Sequence, residues 1–141
     1  MADTNTLESI INIIKSCDSV ILSTVNAQYT DARYITNMLN RNIRSLDLYF
    51  MTGSDTPKYD QLDLNPNCCL YYYNPETHYS VRLYGKMRFI DDTTLKNKFW
   101  IPEFKRFGYC GPDDTRFIVL RFVPMEYKFY IGDEMKTGKI N

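Results

Sequence analysis

The chain has 141 residues, of which 44% are apolar and 15% aromatic, and its 17 basic and 17 acidic side chains give a formal net charge of zero. Zero net charge and the absence of a long basic run disfavour binding to nucleic acid through its phosphates. The four cysteines contain no CxxC pair and the chain has one histidine, so no metal site is expected.

The length suits one domain spanning residues 1–141 with a single core. The first residues lack the pattern of a signal peptide, and no apolar run is long enough to cross a membrane. We therefore expect a soluble cytoplasmic protein that makes no membrane contact and keeps its cysteines as thiols.

Hydrophobic periodicity and turn residues define the predicted elements in chain order. An amphipathic helix is predicted at 5–16, where Asn5 and Glu8 resemble a capping box. The next elements are a hairpin of strands 20–25 and 30–39, a strand at 46–52 and a helix at 57–64. Strands follow at 68–73 and 80–90, then a helix that starts within 91–94 and runs to about residue 99, and a second short helix at 100–104. The last elements are strands at 117–123 and 127–131 and a loose polar tail at 132–141.

This order predicts a mainly β fold with short helices, arranged as a closed or split β-barrel. Gly85 lies in the middle of the longest predicted strand and indicates a bulge or bend. The tyrosine-rich strand at 70–73 is a candidate surface for pairing with a second copy of the chain. Packing of these tyrosines across neighbouring strands is an equally open interpretation.

The segment 48–58 reads as a strand, a tight turn and the start of a helix. Thr56 is a suitable N-cap, and Pro57 is tolerated as the first helical residue because its missing N–H would have no helical partner. Lys58 follows at once. A hydroxyl, free backbone N–H groups and a lysine at one helix start can bind a phosphate or another anion. The alternative is an ordinary strand-to-helix connection with a solvated lysine.

Several short segments occur in a fixed order: Arg33 heading 33–37, the strand end at 50–52, the helix start at 56–58, the strand entry at 65–70 and the strand interior at 83–87. Together they resemble the pyridoxamine 5′-phosphate oxidase-like family of FMN-binding split barrels. The likeness runs from about Val20 to Tyr130 and is strongest to the short branch of general stress protein 26-like proteins.

The resemblance implies which residues contact FMN, the expected cofactor. Arg33, Thr56 and Lys58 correspond to family positions that hold the flavin phosphate. The other implied contacts are the backbone of Tyr34, Ile35, Thr36 and Asn37 along the isoalloxazine ring, then Met51 and Thr52 at the strand end, and Ser80 early in the long strand. From the residues alone, an ion pair between Arg33 and Asp31 or Asp47 remains an alternative.

The resemblance also implies a homodimer with the flavin at or near the subunit interface, and an FMN-dependent oxidoreductase with an unknown small-molecule substrate. Non-catalytic flavin binding, storage or sensing is the alternative, and no side chain stands out as a catalytic residue. Pro57 replaces an arginine of the full-length oxidases, Met51 replaces a tyrosine, and their arginine–histidine substrate motif is not found. Pyridoxamine 5′-phosphate oxidase activity itself is therefore not expected.

A third hypothesis, from another class, is single-stranded nucleic acid binding by stacking on the tyrosines of 70–73. Its support is the nearby Arg82, Lys86 and Arg88, and the zero net charge argues against it.

Overall fold

A computed structural model describes residues 3–140 of the chain. Its α-helices are α1 (Thr4–Ser16), α2 (Pro57–Leu64) and α3 (Thr93–Phe99), and short 3-10 helices lie at Met38–Asn40 and Pro102–Phe107. Its strands are β1 (Ser19–Asn26), β2 (Tyr29–Thr36), β3 (Leu48–Gly53), β4 (Asn67–Tyr73), β5 (Ser80–Ile90), β6 (Phe117–Ile131) and β7 (Glu134–Lys139). None of the helices formed by these residues combines the length and the hydropathy of a transmembrane span.

The strands form one antiparallel sheet in the order β2-β1-β4-β5-β6-β3, and β7 pairs with the second half of β6. Strands β2 and β3 lie at the two ends of this order, so within the described chain each of them pairs with a strand on one side only. The predicted class, mainly β with short helices, is confirmed. The ends of the sheet matter because the candidate site lies between them.

The core follows from the alternation of side chains along the strands. Leu22, Leu70, Leu83 and Phe122 are fully or almost fully buried on the inner face, and α1 covers them with an apolar stripe that includes Ile14. A second, smaller cluster packs on the other face of β3 and β6. Its buried members are Met51, Phe104, Tyr109, Phe117 and Val119. Strand β3 is thus covered on both faces, which fixes the position of its end.

The start of α1 differs from the predicted capping box. Asp3 is the N-cap, and its Oδ1 accepts a hydrogen bond of 2.7 Å from the Thr6 N–H. Asn5 lies inside the first turn, so the prediction that it begins the helix was wrong. An aspartate caps a helix as well as an asparagine does, and both the N–H and the hydroxyl of Thr6 donate to the Asp3 carboxylate.

The second predicted strand, 30–39, ends earlier than expected because the chain turns at Asn37 and enters a 3-10 helix. The third strand begins at Leu48 rather than residue 46, and the helix placed at 100–104 is the 3-10 helix Pro102–Phe107. Strand β5 and helix α2 have the predicted bounds, and α3 begins at Thr93, inside the predicted start at 91–94, and ends at Phe99. The register between β5 and β6 shifts between Tyr84 and Gly85, which confirms the predicted bulge.

The two final strands predicted on either side of residue 124 are one continuous strand, β6. Pro124 lies opposite Gly85 at the bulge, after β3 has ended its pairing at Phe122 and before β7 begins at Glu126. A proline at that point removes no ladder hydrogen bond on the β3–β7 side. The tail was predicted to be loose, and this was wrong for β7, which pairs with β6 over its whole length. The last residue, Asn141, lies outside the described residues.

Candidate functional site

A cavity of about 430 Å³ lies between the end of β2, the end of β3 and the start of α2. The 3-10 helix that ends at Phe107, and the loop after it, close its remaining side. The lining residues are Tyr34, Ile35, Thr36, Met51, Thr52, Asp55, Thr56, Lys58, Phe107 and Tyr109. Most of the cofactor-binding residues predicted from the sequence therefore lie around one cavity.

The start of α2 is built as the sequence predicted. Thr56 is the N-cap, and its Oγ1 accepts from the Tyr59 N–H at 3.4 Å while donating to the Gly53 carbonyl at 2.7 Å. The Thr52 and Thr56 hydroxyls lie 3.1 Å apart. These contacts fix the turn between β3 and α2, so the first backbone N–H groups of α2 and the Lys58 side chain are held on the cavity wall.

Lys58 is a cation that no acidic side chain of the described residues contacts directly. It is half-buried, and residues 3–140 offer it neither a hydrogen bond nor a salt bridge. Burial lowers the pKa of its ammonium group, the positive charge of Arg33 lowers this pKa further, and Asp55 opposes both. An anion bound in the cavity would relieve both unfavourable contributions.

Arg33 lies on the inner face of β2, opposite Leu22. Its Nη1 donates to the Leu22 carbonyl at 3.2 Å and to Thr24 Oγ1 at 2.8 Å, and its Nη2 donates to Gln61 Oε1 at 2.9 Å. Nη2 also forms an ion pair with Asp31 at 3.1 Å, as the alternative drawn from the sequence expected. Arg33 is thus close enough to Lys58 to influence its pKa, but its terminal nitrogens face other residues of the chain.

Asp47, the other acid considered for Arg33, pairs with Arg121 instead, at 2.9 Å.

Asn37 and Ser80 are not brought to this cavity. The Asn37 amide donates to the carbonyls of Ile14 and Cys17, and its backbone N–H donates to the Asp18 carbonyl. Ser80 lies at the start of β5, opposite Tyr73 of β4 and Tyr130 of β6. A contact of either residue with a cofactor stays a prediction.

Two aromatic residues of the cavity, Phe107 and Tyr109, were missed by the sequence reasoning. An ideal Cβ on Gly53 would lie 2.4 Å from the Tyr109 hydroxyl, so the glycine is what lets this ring approach the turn. Burial raises the pKa of the Tyr109 hydroxyl, and Asp55 raises it further. Phe107 ends the 3-10 helix Pro102–Phe107 and Tyr109 lies just after it, far from Lys58 in sequence, and no local motif marks either ring.

The loop that carries Tyr109 is held by Asp114. One of its carboxylate oxygens accepts from the Cys110 N–H at 2.9 Å, and the other accepts from the Arg116 N–H at 2.9 Å. The Arg116 guanidinium, together with these backbone N–H groups, holds the pKa of the Asp114 carboxyl far below its usual range. Arg116 also lies 5.7 Å from the centroid of the Tyr109 ring. The loop is therefore a fixed wall of the cavity.

The residues around the cavity fit a planar ligand that carries a phosphate. The cavity is of the size that small-molecule sites have, about 300–1,000 Å³, and combines an uncompensated cation with an aromatic wall. Aromatic side chains suit a flat heterocycle, and a cation beside a helix start suits a phosphate. Residues 3–140 contain no group of three or more histidine, cysteine, aspartate or glutamate side chains that could hold a metal ion.

Comparison with known proteins places the fold and the family. The model of the family described as pyridoxamine 5′-phosphate oxidase like matches residues 5–137. The chain belongs to this family, and its fold is the split β-barrel that the sequence predicted. No curated protein sequence is similar enough to be matched.

Three solved structures illustrate the range of similar proteins. A protein related to general stress protein 26, from Clostridium acetobutylicum, superposes with a TM-score of 0.83 at 20% identity, over 99% of this chain and 97% of that one. An FMN-binding protein related to pyridoxamine 5′-phosphate oxidase, from Nostoc punctiforme, gives 0.70 at 18% identity, over 100% and 98%. A heme-binding protein from Mycobacterium smegmatis gives 0.76 at 12% identity, over 99% and 60%. The predicted likeness to the short, general stress protein 26-like branch is thus confirmed.

Proposed function

We propose that this chain is a flavoprotein that binds FMN in the cavity between β2 and β3 and transfers electrons to or from a small molecule. The observation that carries the proposal is the half-buried Lys58, which lacks an anionic partner within the described chain and lies at the start of α2 beside Arg33. A cofactor with a phosphate and a flat ring system matches the cation at the start of α2 and the aromatic residues Phe107 and Tyr109 of the cavity wall. The FMN-binding relative from Nostoc punctiforme supports the choice of FMN among such ligands.

Each part of the cavity has a role in this proposal. Lys58 and the first N–H groups of α2 hold the phosphate, and Arg33, which lies near Lys58, supplies a second positive charge. The end of β2, at residues 34–36, runs along the ring system, and Met51 and Thr52 contact it from β3. Phe107 and Tyr109 exclude water from the ring. When bound, FMN supplies oxidation–reduction chemistry at its isoalloxazine ring.

The substrate is a small molecule other than pyridoxamine 5′-phosphate. Pro57 takes the position of an arginine of the full-length oxidases, and their arginine–histidine substrate motif is not found in this sequence. His78, the one histidine, lies at the turn between β4 and β5, where its Nδ1 is 2.7 Å from the Tyr73 hydroxyl. It is not among the residues that line the cavity.

We also propose that the active form is a homodimer with the cavity near the subunit interface. Tyr34 supports this, because it lines the cavity and yet exposes 74% of its surface to solvent. Tyr71 lies two strands away on the same outer face, with the Arg82 guanidinium 4.5 Å from its ring centroid. Large aromatic residues on an outer face are typical of interfaces.

The dimer is tested with Tyr34→Ala, whose matched control is Tyr29→Ala. Tyr29 is equally exposed, at 74%, but lies at the turn between β1 and β2 and does not line this cavity. Light scattering after gel filtration should show a weakened dimer for Tyr34→Ala and a wild-type dimer for the control. A wild-type monomer at micromolar concentration would overturn this part of the proposal.

FMN binding is tested by absorbance after reconstitution and desalting, followed by fluorescence titration with FMN and with riboflavin, which lacks the phosphate. Lys58→Ala should weaken FMN binding by about tenfold to a hundredfold, because a charged hydrogen bond contributes about 1.5–3 kcal/mol. Riboflavin binding should hardly change. The control is Lys86→Ala, an exposed lysine on β5. A chain that binds neither flavin overturns the proposal.

Reoxidation of the reduced flavin, with and without oxygen and with a panel of electron acceptors, separates an oxidoreductase from a protein that stores or senses flavin. Rapid turnover supports an oxidoreductase. A bound flavin that reacts with no reductant or acceptor supports storage or sensing of flavin.

A further inference from the structure

Asp31 forms an ion pair with the guanidinium of Arg33, a group that the proposed phosphate site needs. Arg33 Nη2 is 3.1 Å from Asp31 Oδ2, and the same nitrogen donates to Gln61 Oε1 at 2.9 Å. Arg33 Nη1 donates to Leu22 and Thr24. Both terminal nitrogens of Arg33 therefore already carry two interactions each, although Arg33 lies beside an uncompensated lysine.

Gln61 holds this arrangement together from α2. Its Oε1 accepts from both Arg33 and the Thr24 hydroxyl, and its Nε2 donates to Asp31 Oδ2 at 3.1 Å. Gln61 and Thr24 are both buried, whereas the Asp31 side chain is 47% exposed. The amide and the hydroxyl are thus fixed, and the carboxylate is the partner that can move into solvent.

A phosphate is gripped most strongly by two parallel N–H groups on one edge of a guanidinium. On Arg33, the edge formed by Nε and Nη2 becomes available when Nη2 loses one of its two partners, Asp31 or Gln61. Asp31 is the exposed partner, and its departure costs the hydrogen bond from Gln61 Nε2 but leaves the bonds of Gln61 Oε1 to Arg33 and Thr24 in place. Thr24 and Gln61 would keep the guanidinium oriented during the exchange.

We propose that Asp31 is a built-in competitor for the anion site: it neutralises Arg33 when the cavity is empty and is displaced by the phosphate of the ligand. The inference rests on the proposed function for the ligand and its contact with Arg33, and on the Asp31–Arg33 ion pair beside Lys58 for the competition. This competition would make the site selective among anions, because a ligand must displace the carboxylate of Asp31, which lies two residues from Arg33 on the same strand.

The test compares Asp31→Asn with Asp55→Asn, each alone and combined with Arg33→Ala. Asp55→Asn is the control because it too removes one negative charge near Lys58, yet Asp55 forms no hydrogen bond or ion pair with Arg33. Two ligands are titrated: FMN, followed by its fluorescence, and inorganic pyrophosphate, followed by the rise in the midpoint of thermal unfolding. Circular dichroism checks that each variant is folded.

Direct competition predicts that Asp31→Asn tightens binding of both ligands by about twofold to fivefold, the size expected for loss of a partly exposed ion pair. This gain should disappear in the Arg33→Ala background, because Asp31 and the ligand then have no guanidinium to compete for. A gain from Asp55→Asn acts through space on Lys58 and should survive in that background.

Unchanged or weaker binding by Asp31→Asn overturns the inference, and so does a gain that persists without Arg33. If the chain binds pyrophosphate with the expected pattern but binds no FMN, the competition stands and the proposed function fails. If FMN binds and Asp31→Asn leaves both affinities unchanged, the proposed function stands and the competition fails.

Discussion

The side-chain amide of Asn37 donates a hydrogen bond of 2.8 Å to the carbonyl oxygen of Ile14, in the last turn of α1. A second bond, of 2.9 Å, reaches the Cys17 carbonyl, and Asn37 Oδ1 accepts from Asn40 at 3.1 Å. Asn37 is fully buried. One asparagine therefore joins the end of β2 to the end of α1, directly beside the stretch of β2 that lines the cavity.

Asn37→Ala should lower the free energy of unfolding by about 1–3 kcal/mol, because it removes hydrogen bonds to buried carbonyl groups. Urea denaturation measures the loss, and Asn42→Ala, at an exposed position, is the control. FMN affinity of the folded variant should stay near that of the wild type. A variant with full stability and lost FMN binding would instead place the Asn37 side chain in the site.

Gly85→Ala should be strongly destabilising, by about 2 kcal/mol or more. A Cβ at this position would lie 2.1 Å from the Val123 carbonyl oxygen and 2.8 Å from Phe122 Cζ, and the backbone contact cannot move aside. The control is Gly111→Ala, whose Cβ would meet one side-chain atom, Asp113 Oδ1 at 3.1 Å. Thermal unfolding compares the two. Equal midpoints would mean that the bulge tolerates a side chain.

Cys68 should make the protein sensitive to alkali. Burial raises the pKa of its thiol to about 12. An unfolded thiol ionises near pH 8.5, so its contribution to stability is complete below that pH and is lost as the pH rises towards 12.

Urea denaturation between pH 8.5 and 10 tests this in wild type and Cys68→Ala. The variant should lose stability less steeply, by up to about 1.4 kcal/mol per pH unit. Cys110→Ala, which removes an exposed thiol, is the control for the loss of a cysteine. A Cys68→Ala slope equal to that of the wild type would show that Cys68 ionises in the folded protein.

Gly53→Ala should weaken FMN binding by displacing Tyr109. The new Cβ would lie 2.4 Å from the Tyr109 hydroxyl, so the ring must shift on the cavity wall. Adding Tyr109→Phe removes the clashing oxygen and should recover part of the affinity, which FMN titration measures. Absence of any recovery would show that Asp55, whose Oδ1 would lie 2.6 Å from the same Cβ, is the group that matters.

The parts of the fold and site that were predictable from the sequence are those encoded by neighbouring residues. Thr56, Pro57 and Lys58 specify a capped helix start by themselves, and Gly85 marks its bulge because no other residue fits there. The order of the family's segments predicted that residues 34–36 and this helix start serve one site, and both line the same cavity. These features depend on local geometry or on a pattern that covers most of the chain.

The missed features depend on partners that are distant in the chain. Strand β7 has no apolar alternation, and its backbone bonds to β6 hold it in place. Pro124 looks like a break until its position between the partners β3 and β7 is known. In the site, Tyr109 reaches the cavity because Gly53 leaves space, and Gln61 of α2 forms hydrogen bonds with both Arg33 and Asp31 of β2. No short pattern contains both members of such a contact.

The placement of the cavity between β2 and β3 also has a consequence for the order in which the chain folds. β1 and β2 form a hairpin of neighbouring residues, whereas β3 pairs with β6, where the adjacent Asp47 and Arg121 are 74 residues apart. Contacts so distant in sequence form slowly, because closing the intervening loop costs conformational entropy. The two walls of the cavity therefore meet late in folding, and we expect a refolding chain to acquire flavin affinity only in its slowest phase.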